Sequence, residues 1–266
     1  MQRILLLILF TFSCFSHSSS HLTVCVSNST HPYVLPELNS GLDVEIIQSA
    51  LNNSDQMNSR IKFVYLPNAR IKYSFNKGDC DIATQAKEDS SWKNAIYSKY
   101  PMITFDNKAI TLEKNNISLE SIRDIKNYTT LAWQGAHQYL GDEFYEVTLN
   151  HKNYTELSTK LPSDMLLLER VDLVISEVNV FRYNLSKHSN SDEIIRYQKI
   201  FKTGNEYKWV FTSRKLRQSF EEGLKASYHN GAIDQIFEHY VNTYDIDRSA
   251  YRTMDCFYGG ITQVCN

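Results

Sequence analysis

Between residues 22 and 84, short apolar runs alternate with segments of helical spacing, and this alternation constrains the fold more than any other feature. "LTVCVS" (22–27) reads as a strand, residues 43–51 repeat apolar side chains at helical intervals, and "IKFVYL" reads as a second strand. "NARIKYSFNKG" is a short helix stopped at Gly78, and "CDIAT" is a third strand, too short for a helix. Strands joined through helices pair in parallel by right-handed crossovers, so an α/β layered domain is expected. The pattern then recurs. "KAITLEK" is extended, 119–125 suggests a short helix, "YTTLAW" is a strand ending at Gln134-Gly135, and 139–146 is helical. "LLLERVDLVISE" runs from helix into strand, "VNVFRYNLSKH" is helical, "YKWVFTS" returns to strand, and 216–241 holds one or two helices. Two α/β units therefore share the chain, the second inserted into the first. Ligands of such sheets sit beyond the carboxyl ends of the strands, here the segments after Ser27, Thr84, Trp133 and Ser176.

A chain of 266 residues, 42% hydrophobic and 22% charged, is long and apolar enough to bury a substantial core. Its net charge of -2 lacks the basic footprint of a nucleic-acid binder. Arg3, the apolar run 4–12 and the small polar stretch "SCFSHSSSH" have the form of a secretory signal, taken as residues 1–20 and too short to span a bilayer. No later segment would span one, so the mature chain is expected to be secreted or periplasmic. Four cysteines then remain in an oxidising compartment, and Cys256 with Cys265 in "CFYGGITQVC" is the expected disulfide. Cys25 and Cys80, in or beside predicted strands, are equally well explained as a second bridge or as buried thiols. No Cys-x-x-Cys pair or His/Cys ligand spacing occurs, so neither a metal nor a cofactor is expected.

"HPYVLPELNSGLDVEII", "FVYLPNARIKYSFNKGDCDIA", "IYSKYPM", "LAWQGAHQYLGDEF", "LLLERVDLVISE" and "VFTSRKLRQSFEEGLKASYHNGAIDQIFEHYV" follow one another over residues 22–241. In that order they resemble the motifs of the extracellular solute-binding proteins of family 3, the polar-amino-acid type that serves ABC importers. The resemblance implies a type II periplasmic-binding-protein fold, two lobes each built on a mostly parallel sheet flanked by helices and joined by two hinge strands. Lobe 1 would be 21–104 plus 206–266, lobe 2 would be 105–205, and the tail 242–266, outside the resemblance, would pack on lobe 1. It further implies a monomeric clamp that closes on a small polar ligand and delivers it to importer membrane subunits or a sensor.

The same resemblance supplies candidate ligand-binding residues. In lobe 1 they are Tyr33 as an aromatic wall, Thr84 and Gln85 at the end of the third strand, Ser91 at the place of the family's carboxylate-binding arginine, and Trp92 beside it. Without that guanidinium fork, Lys87 or Lys93 would offer only a point charge. In lobe 2 they are Gly135 and His137 on the loop that meets the ligand carboxylate, and Glu177, five beyond Asp172, for the ligand ammonium. Arg70, which matches a family position, is read as structural, pairing with an acidic neighbour. An acid and aromatic rings without the fork favour a ligand whose positive group matters more than its acid. Catalytic motifs such as Gly-x-Ser-x-Gly or His-Glu-x-x-His are absent, so no catalytic residue is assigned. Two alternatives stand beside the binding protein: a dehydratase-like enzyme on the same scaffold, and a degenerate clamp with a protein partner.

Overall fold

The computed structural model describes residues 21–55, 59–157, 162–188, 194–202 and 204–261, and the expected signal segment 1–20 lies outside them. The chain runs through β1 (His21–Ser27), α1 (Leu42–Asn52), β2 (Arg60–Leu66), α2 (Asn68–Lys77), β3 (Ile82–Ala86), β4 (Ile96–Tyr97) and β5 (Ile103–Phe105). It continues with β6 (Asn107–Leu112), β7 (Thr130–Trp133), α3 (Ala136–Tyr139), α4 (Asp142–Leu149), β8 (Tyr154–Leu157), α5 (Pro162–Leu167), β9 (Leu173–Glu177), α6 (Val178–Leu185) and β10 (Ile195–Gln198). β11 (Asn205–Phe211), α7 (Arg214–His229), α8 (Ala232–Tyr244) and α9 (Arg252–Phe257) follow. The helix expected over 139–146 is divided into α3 and α4, with Gly141 at φ +97° between them. The helical stretch near the end is divided at Gly231, φ +79°.

Two sheets result, ordered β2-β1-β3-β11-β4 with β5 also on β11, and β10-β6-β9-β7-β8. Both are mixed rather than mostly parallel. β1 pairs in parallel with β2 and β3, and β7 with β8 and β9, as helical crossovers demand. β11 and β6 pair antiparallel with β3 and β9. These two strands lie where the chain changes sheets: β5 and β6, separated by Asp106 alone, belong to different sheets. A strand arriving from the neighbouring sheet enters from the opposite end, which sets its direction.

Each sheet is covered on both faces, as strand alternation requires. Val24, Val26 and Ile82 pack with Ile46, Ile47 and Ala50 of α1 and with Phe220 and Leu224 of α7. Cys25, Ala83 and Val210 face the other way, onto Ile71 and Phe75 of α2. In the second sheet Ala132 and Ile175 meet Phe144 and Val147 of α4, whereas Ile110, Leu131 and Val174 meet Leu166 of α5 and Phe181 of α6. No helix among the described residues is long and apolar enough to cross a membrane.

Cys25 and Cys80 form a disulfide with Cα atoms 5.8 Å apart, which decides between the two readings left open by the sequence. Cys256 is buried; Cys265, its expected partner, lies outside the described residues. The Cys25–Cys80 bridge closes a loop of 55 residues. Its replacement by alanines should lower the unfolding free energy by roughly 2–4 kcal/mol, read from urea denaturation of the oxidised protein and the double variant.

The segment after α8 folds back on the first sheet's helices. Tyr251 donates its hydroxyl to Asp43 of α1 at 2.5 Å, Tyr258 donates to Glu221 at 2.9 Å, and Arg248 grips Asp255 through two bonds of 2.9 Å.

Candidate functional site

Segments that follow β1 and β3 reach the second sheet beside the ends of β9 and β7: Asn179 donates to the Tyr33 hydroxyl, and Lys87 to the Tyr139 carbonyl. Glu177 closes β9 and caps α6, its carboxylate accepting the Val180 N–H at 2.8 Å. It is buried, 6% exposed. From the first sheet, the Tyr33 hydroxyl lies near the Glu177 carboxyl and accepts from Asn179 at 2.9 Å. Burial pushes the Glu177 carboxyl up to about 7, against the pull of the Val180 and Asn179 N–H groups and Tyr33. A neighbouring acid, Asp106, which Lys108 pairs at 3.1 Å, adds to the rise. A buried carboxyl with no ion pair among the described residues, at a strand end, is a functional signal, since a helix cap alone needs no such desolvation.

Tyr33 is fully buried, with its ring faces packed by Phe105 at 5.3 Å and Tyr251 at 6.0 Å. Only its hydroxyl is directed at Glu177 and Asn179. Burial raises this phenol, and the acids Glu177 and Asp43 raise it further. Asp43 is itself pushed up to about 7 by burial, with the Tyr251 bond opposing the shift.

The end of β3 places Thr84 and Gln85 on the same side. The Thr84 hydroxyl is buried with no hydrogen-bond partner among the described residues. Gln85 takes φ +58° and donates its amide to the Thr30 hydroxyl at 3.0 Å. The chain then turns away: Ser91 accepts from Lys72 at 2.8 Å, Asn76 donates to the Ser91 carbonyl at 2.8 Å, and Trp92 packs on Phe75 at 5.7 Å. Ser91 and Trp92 therefore lie against α2, apart from Tyr33 and Glu177. Lys93 follows them, lining a surface cavity with Phe75, Asn76 and Thr212. Arg70 is exposed, and no ion pair holds it among the described residues.

Lys87 does cross to the second sheet. Its ammonium donates to the Tyr139 carbonyl at 3.1 Å and sits 5.6 Å and 5.9 Å from the Tyr139 and Tyr207 ring centres. Burial lowers its pKa, partly offset by Asp89.

Gly135 and His137 begin α3, Gly135 at φ +90°, a conformation that turns successive N–H groups toward one point. That point is occupied by Glu156 of β8. The Gly135 N–H donates to Glu156 Oε2 at 2.7 Å and the His137 N–H to Oε1 at 2.9 Å. The His137 ring Nδ1 lies 2.8 Å from Oε1, and the Tyr154 hydroxyl donates to it at 2.6 Å. Burial tends to raise this carboxyl, but the four bonds hold it below the usual carboxylate range. Sequence reasoning missed Glu156 because it missed β8, whose four residues "YTEL" are too few for their alternation to mark a strand.

The sheets also touch at a third place. Asn179 and Asp247 exchange two bonds, Nδ2 to the Asp247 carbonyl at 3.0 Å and the Asp247 N–H to Oδ1 at 2.8 Å. Tyr183 of α6 lies between His31 and Tyr244, at 5.4 Å and 5.2 Å.

No protein-family model matches the sequence, and no characterised protein is detectably similar to it in sequence. Solved structures share the fold. An ancestral arginine-binding protein bound to glutamine is 17% identical with a TM-score of 0.63, covering 84% of this chain and 98% of that one. The arginine-, lysine-, histidine-binding protein ArtJ from Geobacillus stearothermophilus is 14% identical with a TM-score of 0.63, covering 85% and 96%. A histidine kinase sensor domain with similarity to periplasmic binding proteins is 14% identical with a TM-score of 0.64, covering 82% and 95%. The chain has the two-lobed α/β fold of periplasmic binding proteins.

Proposed function

We propose that the protein is an exported binding protein that closes on a small ligand through its ammonium group and presents it to an importer or a sensor. One observation carries this reading: Glu177 is a buried acid with no ion pair among the described residues, at a strand end of the second sheet that Asn179 ties to Tyr33. A ligand ammonium placed there would supply the missing charge. Tyr33, Thr84, Gln85 and Glu177 form the proposed binding set, while the Gly135 and His137 N–H groups are taken by Glu156. The two sheets would be the cores of lobes 21–104 plus 206–266 and 105–205, hinged at β5–β6 and at the approach to β11. Opening would break the Lys87–Tyr139 and Asn179–Asp247 contacts and expose Glu177. Binding proteins for arginine, lysine and histidine and a kinase sensor domain on this fold support both halves of the proposal.

Calorimetric titration of the mature chain with basic amino acids and amines tests it. At least one cation should bind, and Glu177→Gln, which preserves the helix cap, should weaken it about 30- to 1,000-fold, the worth of a buried charge contact at about 2–4 kcal/mol. Tight binding of a neutral solute, unchanged in Glu177→Gln, would contradict the proposal; so would turnover of the ligand. A second reading, a clamp that stays shut and serves a protein partner, is favoured by the Asn179–Asp247 lock and predicts no heat with any cation.

A further inference from the structure

We infer that Glu156 sets the specificity of the cleft, restricting it to ligands that carry an ammonium group and no carboxylate. The inference rests on the small-cation reading above and narrows it. The N–H groups of Gly135 and His137 converge on the Glu156 carboxylate at 2.7 Å and 2.9 Å, so a donor pair shaped for an anion already holds one. The His137 ring and the Tyr154 hydroxyl complete its shell at 2.8 Å and 2.6 Å. Glu156 is fixed in place, its side chain 15% exposed. β8 and β9 flank β7, with Glu156 and Ile175 both opposite Ala132, which sets Glu156 two strand spacings from β9, roughly 10 Å. The second sheet therefore carries two carboxylates toward the carboxyl ends of its strands, Glu156 and Glu177. A ligand carboxylate entering beside them would have to displace Glu156 from four hydrogen bonds and would meet like charge. Lys87, the cation that reaches this corner, is engaged by the Tyr139 carbonyl and two ring faces. A ligand lacking the carboxylate meets none of these obstacles.

Matched pairs test the inference: L-arginine against agmatine, and L-lysine against cadaverine, titrated into the mature wild type, Glu156→Ala and Glu156→Gln. The wild type should bind at least one amine 10-fold or more tightly than its parent amino acid. Glu156→Ala should reduce that ratio at least fivefold by improving the amino acid. Equal or tighter binding of the amino acids by the wild type overturns the inference while leaving the small-cation reading intact. An unchanged ratio in folded Glu156→Ala and Glu156→Gln also overturns it. If neither member of either pair binds the wild type, both readings fall together. Should the variants fail to fold by circular dichroism, the wild-type ratio alone decides.

Discussion

The ligand-free protein should lose stability as the pH rises from about 4.5 to about 7, and Glu177→Gln should remove about half of that slope. The carboxyls of Glu177 and Asp43 are both pushed up to about 7 by burial, whereas in the unfolded chain they titrate near 4. Below the unfolded value both states hold the proton and the native contribution is complete. Between about 4.5 and 7 the unfolded chain has released protons that the native state keeps. Stability then falls by about 1.4 kcal/mol per pH unit for each group and levels off once both ionise. Glu156 acts in the opposite sense and in a lower window. Its depressed carboxyl contributes stability above about pH 4, lost as the pH drops through its native value. The stability maximum should therefore lie near pH 4.5–5. An ammonium ligand at Glu177 should flatten the descending limb, because it favours the ionised form. Urea denaturation across pH 4–8 gives these slopes; a flat or rising wild-type curve between pH 5 and 7, or a Gln variant identical to wild type, would contradict the assignment.

Gly223→Ala should cost about 3 kcal/mol or more, although alanine usually stabilises a helix interior by about 1 kcal/mol relative to glycine. A Cβ at Gly223 would lie 2.0 Å from the Ala50 carbonyl oxygen and 2.8 Å from the Ser54 Cβ. The first contact is backbone and cannot rotate aside. α7 would have to retreat from α1, loosening Ile46, Ile47, Phe220 and Leu224, which close one face of the first sheet. Gly231→Ala provides the contrast. Its Cβ would meet open space, so only the left-handed backbone at φ +79° is strained, a cost of about 1 kcal/mol. Thermal unfolding of both variants measures the difference; equal losses would place the helix crossing elsewhere.

Much of this architecture is legible in the residues. The strands around Val24, Phe63, Ile82, Ala132 and Ile175 are short apolar runs between turn residues, and α2 ends at a left-handed Gly78. β8 and β10 are four-residue, half-buried edge strands whose pattern is too short to distinguish from a loop. Glu156 was hidden with β8. Tyr33 and Glu177 were singled out through the family resemblance, by a Pro-containing loop and by a position five beyond Asp172; Glu177 ends β9, whereas Tyr33 lies in the loop after β1. Ser91 and Trp92 were misplaced relative to that pair by partners 15–19 residues upstream, Lys72, Phe75 and Asn76, which draw the loop onto α2. Tertiary competition of that kind leaves no local trace in the sequence. The pairing expected for Arg70 is not seen among the described residues for a related reason: α2 turns that side chain to solvent.

A crystal structure of the mature protein with its tightest-binding amine measures the central claim most directly. The amine nitrogen should lie about 3 Å from a Glu177 carboxylate oxygen, between the ends of β3 and β9, with Glu156 still on the Gly135 and His137 N–H groups. An amine bound elsewhere, with the Tyr33 hydroxyl still closed on Glu177, would contradict it.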